Sequence, residues 1–85
     1  MNASQIAASL ETFVRGQFNV SDSDPGFDRE VDLFEGGYVD SVGVAELLEY
    51  VTQEFGVDIP ESDLFSDQFS SIEGIASIVA RLQHT

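Results

Sequence analysis

The side chain best placed to carry chemistry is the hydroxyl of Ser41, directly after Asp40. Asp is a strong helix N-cap, and an amphipathic stretch follows it. Ser41 therefore takes the first helical position, beside unpaired backbone N–H groups and the positive end of the helix dipole. A phosphate esterified to that hydroxyl would be favoured there, as anions are at helix N-termini. Gly36 and Gly37, just upstream, leave room for approach. Taken alone, the Asp-Ser pair reads more readily as an ordinary helix start.

Little else assembles a catalytic centre. There is no Cys, and the one His is His84, the penultimate residue. A terminal His is usually solvated. A nucleophilic triad or a transition-metal site lacks its parts. Asp22, Asp24, Asp28, Glu30 and Asp32 lie close together and invite a calcium reading. An EF-hand needs Gly at its sixth position and Glu at its twelfth. Counted from Asp22, Gly26 falls fifth and Leu33 twelfth; counted from Asp28, Leu33 falls sixth and Val39 twelfth. Both registers fail, so no dedicated metal site is expected, only weak divalent binding to dense charge. The chain reads as a non-catalytic protein.

The charge is strongly one-sided. Sixteen acids face three bases, Arg15, Arg29 and Arg81, for a net charge of -13 on 85 residues. Nucleic acid and anionic membranes are repelled. No apolar run approaches the roughly 20 residues that span a bilayer. The N-terminus MNASQIAASLETF lacks the basic and apolar regions of a secretory signal. A cytoplasmic monomer is expected. Charge alone fits a solubilising surface as well as a docking face for basic partners.

The elements that must position Ser41 follow from spacing. Ile6, Leu10, Phe13, Val14 and Phe18 recur at helical intervals, with Asn2 or Ser4 as cap. Val44, Leu47, Leu48, Val51 and Phe55 form a second stripe between Asp40 and Gly56. Ile72, Ile75, Ala76, Val79 and Leu82 form a third, with Ser70 and Glu73 spaced as a capping box. Gly74 weakens that helix start. Pro60 followed by ESDLF suits one short helical turn. A long loop, from about Asn19 to Val39, joins the first two helices, pinned by Val31, Leu33, Phe34, Tyr38 and Val39. The second connection is anchored by Ile59, Leu64, Phe65 and Phe69. The fold class is all-α, a small four-helix bundle of three main helices and one short one. The whole chain, residues 1–85, reads as one domain. On the second helix, Val42, Glu46, Glu49 and Gln53 face away from the stripe at about 100° per residue.

The stretch DLFEGGYVDSVGVAELLEYVTQEFGVDIP resembles the core of acyl carrier proteins. Those domains place Asp-Ser before an amphipathic helix, a Glu-Phe-Gly-like exit after it, and Ile-Pro beyond. The piece ESDLFSDQFSSIEGIASIVARL resembles the third- and fourth-helix region of the same family. The resemblance implies a four-helix bundle whose serine receives 4′-phosphopantetheine from coenzyme A through a phosphopantetheinyl transferase. The thiol of that arm then holds acyl or aminoacyl groups as thioesters. Carried over, Ser41 is the attachment site, with Asp40 supporting it. The second helix is the recognition helix, setting Val42, Glu46 and Glu49 against the basic docking patches of loading and downstream enzymes. Val42 stands where Leu or Met is usual, and Gly43 and Val44 where fatty-acid carriers have more polar residues. These departures point away from the housekeeping fatty-acid carrier. The DLFEGGYVDS pattern looks more like D-alanyl carriers and, in preference, stand-alone carriers of specialised pathways such as polyketide or nonribosomal peptide synthesis. An acidic interaction module without a prosthetic group and a divalent-ion-binding helical protein are the readings from other classes.

Overall fold

Three apolar stripes at helical spacing become three long helices in the computed structural model, which describes residues 2–84. The order is α1 (Ala3–Gln17), α2 (Ser41–Phe55), α3 (Glu61–Leu64) and α4 (Ile72–Gln83), with a 3₁₀ turn at Asp67–Ser70 before α4. No described residue is in a strand. The all-α bundle of three main helices and one short one is what the spacing implies.

Each of the three long helices starts on a side-chain cap. Asn2 accepts from the Gln5 N–H at 2.8 Å, and Gln5 returns the bond to the Asn2 N–H at 3.1 Å. Asp40 caps α2 through the Gly43 N–H at 2.8 Å. The start of α4 corrects the expected Ser70–Glu73 box. Ser71 is the cap, accepting from Gly74 N–H at 3.0 Å. The 3₁₀ turn has absorbed Ser70, whose hydroxyl donates to the Asp67 carbonyl at 2.6 Å. The Glu73 N–H is satisfied instead by the Arg29 carbonyl at 2.8 Å.

The stripes close one core. Ile6, Leu10 and Val14 of α1, Leu47 and Val51 of α2, and Ile72, Ile75 and Val79 of α4 are fully buried. Each contributes about 1.5–3 kcal/mol by burial. Val44 and Leu48 flank the α2 stripe at half burial.

The long loop is stitched to this core. Leu33 is fully buried. Its N–H donates to the Ser70 carbonyl at 2.7 Å, and its own carbonyl accepts from Tyr38 and Val39 at 2.9 Å each. The clustered acids serve the turns: Asp28 accepts from the N–H groups of Glu30 and Val31, and Asp32 from those of Phe34 and Glu35. Among the described residues no group of acids and His is arranged to hold a metal ion. Phe27, absent from the expected anchors, is buried beneath the Arg15 guanidinium, 4.5 Å from its ring centroid.

The Glu11 carboxylate joins this loop to α1. It accepts from Arg29 Nε at 2.8 Å and Arg15 Nε at 3.1 Å. These guanidinium groups, Arg29 foremost, hold the Glu11 carboxyl below its ordinary value against the opposing effect of burial. A carboxylate depressed in the folded state stabilises the fold above its unfolded pKa, and that stabilisation is lost as pH falls through the folded value. Glu11→Gln should therefore cost about 1 kcal/mol near neutrality, the upper range for an exposed pair. The gap to wild type should narrow as pH falls below the usual Glu range of about 4.3. Melting curves of both proteins across that range check it; a gap of constant size contradicts it.

Candidate functional site

The chain enters α2 along a fixed path. Val39 is buried, tied to Leu33 by its N–H. Asp40 follows in extended conformation, φ -102° and ψ -175°. Its side chain takes the Gly43 N–H and its carbonyl the Val44 N–H at 3.0 Å. The N–H groups of Ser41 and Val42, in the first helical turn, have no helical acceptor. No acid lies in that first turn.

Ser41 is exposed, and Val42 beside it is 68% exposed. Gly43 is buried under them. A Cβ there would lie 2.7 Å from a Phe18 ring carbon and 3.0 Å from Val39 Cγ1. In the sequence, Gly43 stood out only through the family resemblance, as a departure from the usual residue. The packing shows its use: it lets the start of α2 close onto Phe18 and Val39, which fixes where Ser41 projects. The arrangement presents a free hydroxyl, on a rigid helix start, to an incoming phosphate. The dipole of the helix favours such an anion by about 0.3–1 kcal/mol.

The three residues assigned to docking share the outer face of α2. Val42, Glu46 and Glu49 are all exposed. Glu46 accepts from Gln17 Nε2 at 2.6 Å and Glu49 from Gln53 Nε2 at 3.1 Å. No base balances them. Arg15 and Arg29 are committed to Glu11, and Arg81 pairs with Asp63 at 2.6 Å. His84 is exposed at the end of α4.

One anchor is corrected. Phe65 does not hold the second connection to the core; it is 86% exposed. The single turn of α3 points only one of two adjacent apolar residues inward, and Leu64 takes that place. Phe69 fills the core side of the next turn, stacked on Phe34 at 6.1 Å between centroids. The connection has no period from which to tell the two Phe residues apart.

A family model described as the phosphopantetheine attachment site matches residues 8–79. The chain belongs to that family. Its prosthetic group is 4′-phosphopantetheine, and its members carry groups rather than catalyse reactions. The carrier is 34% identical, over 53 residues, to the D-alanyl carrier protein of Streptococcus pyogenes serotype M5 (strain Manfredo). That match covers 62% of this chain and 67% of the relative. The D-alanyl carrier protein of Streptococcus pyogenes serotype M49 (strain NZ131) matches with the same identity and coverage. No solved structure matches the carrier at a comparable level. The exposed first turn of α2, which carries no acid beyond the Asp40 cap, fits the phosphate of such a group. When bound, the group supplies a terminal thiol on a flexible arm. At the start of α2 the carrier presents the exposed Ser41 hydroxyl and two N–H groups without helical acceptors.

Proposed function

We propose that Ser41 bears the 4′-phosphopantetheine arm, with Asp40 fixing the helix start beneath it. The observation that carries this is the exposed hydroxyl in an acid-free first turn, on a chain otherwise crowded with carboxylates. The chain then holds acyl or aminoacyl intermediates as thioesters, as a carrier of a specialised polyketide, nonribosomal peptide or related pathway. Gly43 and Val44, in place of polar residues, support that placement. A D-alanyl cargo is the second reading, favoured by the named relatives. We read the chain as one domain; a Cα radius of gyration of 11.8 Å, beside about 12 Å for a compact chain of this length, supports that reading. We place the protein in the cytoplasm as a monomer; no described helix is long and apolar enough to cross a membrane.

Val42, Glu46 and Glu49 form the face that meets the transferase and the loading enzymes. Complementary charge mainly sets encounter rate and orientation. Initial rates of transferase modification, with coenzyme A as donor, test this across a sodium chloride series. Glu46→Lys and Glu49→Lys should each slow modification about three- to tenfold at low salt. The rates should converge with wild type as the Debye length falls toward about 3 Å at 1 M. Val42→Asp should be slow throughout. All three should stay within about 0.5 kcal/mol of wild-type stability, as exposed positions do. Unchanged rates in folded variants would move the docking face elsewhere.

A further inference from the structure

We infer that Phe18, at the end of α1, is a positioning residue for attachment at Ser41: its ring is the seat on which Gly43 sets the first turn of α2. The inference rests on the reading of Ser41 as the attachment residue and adds what aims its hydroxyl.

The seat is built where α1 ends. Phe18 is the C-cap residue, φ -108° and ψ 13°, and its N–H donates to the Val14 carbonyl at 3.0 Å. Asn19 follows with φ 55°, the left-handed conformation that Asn tolerates just past a helix. The Val20 N–H then returns to the Arg15 carbonyl at 3.0 Å, and Arg15 Nη1 donates to the Ser21 carbonyl at 3.1 Å. This reversal holds the Phe18 backbone from both sides. The ring itself meets Phe13 edge-on with centroids 6.2 Å apart, and Phe13 stacks on Tyr50 of α2 at 4.0 Å.

Gly43 is pinched between that ring and Val39. A Cβ on Gly43 would lie 2.7 Å from Phe18 Cε1, 3.2 Å from its Cζ and 3.0 Å from Val39 Cγ1. Val39 is buried, and its N–H is held by the Leu33 carbonyl at 2.9 Å. The Gly43 N–H is also the one that the Asp40 carboxylate accepts, at 2.8 Å. That bond closes a ring of chain around Ser41 and Val42. A displacement of Gly43 therefore reaches the Ser41 hydroxyl through the cap, although neither Phe18 nor Gly43 supplies a reacting atom.

In attachment, the Ser41 oxygen bonds to the pantetheine-side phosphorus of coenzyme A. The bond from that phosphorus to the nucleotide half breaks, and the hydroxyl proton passes to the transferase or to water. A displacement of this kind depends on the aim of the oxygen; a misplacement of about 1 Å can cost roughly a hundredfold in rate. Gly43 is buried, so a change there leaves the outer face of α2 chemically intact. The loss should fall on kcat rather than on KM for the carrier.

The test pairs transferase kinetics on the full chain, with coenzyme A as donor, with amide spectra of the unmodified chain. Gly43→Ala should lower kcat about tenfold, with KM for the carrier within about twofold of wild type. Phe18→Leu removes the ring carbons that the new Cβ would meet. Alone it should lower kcat by a smaller factor at wild-type KM, which keeps the test open if Gly43→Ala does not fold. The double variant should recover most of the kcat lost in Gly43→Ala, the coupling expected of residues in contact. Gly43→Ala should shift the amides of Ser41 and Val42 and leave those of residues 75–79 in place, and the double variant should bring the first pair back. Ser41→Ala is run alongside: attachment persisting there defeats the reading of Ser41, while the amide shifts still decide the seat. Wild-type kcat in folded Gly43→Ala or Phe18→Leu, a change in KM alone, or no recovery in the double variant would overturn the inference.

Discussion

Gly74→Ala is expected to destabilise the protein by about 2–4 kcal/mol, the cost of overpacking a site that cannot yield. Helix propensity alone gives the opposite sign, since Ala is better than Gly by about 1 kcal/mol inside a helix. The contacts decide against propensity. A Cβ at Gly74 would collide with the backbone carbonyl oxygen of Gln68, and would lie 2.6 Å from its carbonyl carbon. Gln68 sits in the 3₁₀ turn, and that turn cannot retreat cheaply. Its neighbour Phe69 is buried against Phe34, and the Ser70 carbonyl holds Leu33 of the long loop. The melting temperature should fall by about 10–25 °C for a domain this small. Gly16→Ala is the matched control. A Cβ there meets nothing within 4 Å on exposed α1, so the same exchange should raise stability by about 0.5–1 kcal/mol. If both substitutions stabilise, the close seating of α4 on the 3₁₀ turn is wrong.

That pair shows where a sequence stops speaking. The stripes Ile6–Leu10–Val14, Leu47–Val51–Phe55 and Ile72–Ile75–Val79 were legible because burial imposes a period on helices. The place of Ser41 at the first helical position was legible because Asp40 marks a helix start. Phe27 was not: it stands among Asp, Pro and Gly, with no period to betray its burial. Ser70 and Ser71 both satisfy capping grammar, and only the 3₁₀ turn chooses between them. Asp28 and Asp32 suggested an ion, yet their carboxylates cap turns. Gly43 and Gly74 look like local costs in sequence. Their reason lies in chain segments far apart, Phe18 and Val39 for one and Gln68 for the other.

The largest expected effect is chemical. Ser41→Ala should abolish attachment altogether while leaving the fold intact, because the hydroxyl is exposed and the Asp40 cap does not depend on it. Competing hydroxyls are poorly placed. Ser71 is spent on capping α4, and Ser62 sits in a turn that carries Glu61 and Asp63. Ser4, exposed in the first turn of α1, is the one to exclude. The direct measurement is the intact mass of the full chain after incubation with coenzyme A and a broad-specificity phosphopantetheinyl transferase. Wild type should gain one phosphopantetheine, and Ser41→Ala none, with its helical circular dichroism retained. A gain on folded Ser41→Ala, or none on wild type, would contradict the assignment of Ser41.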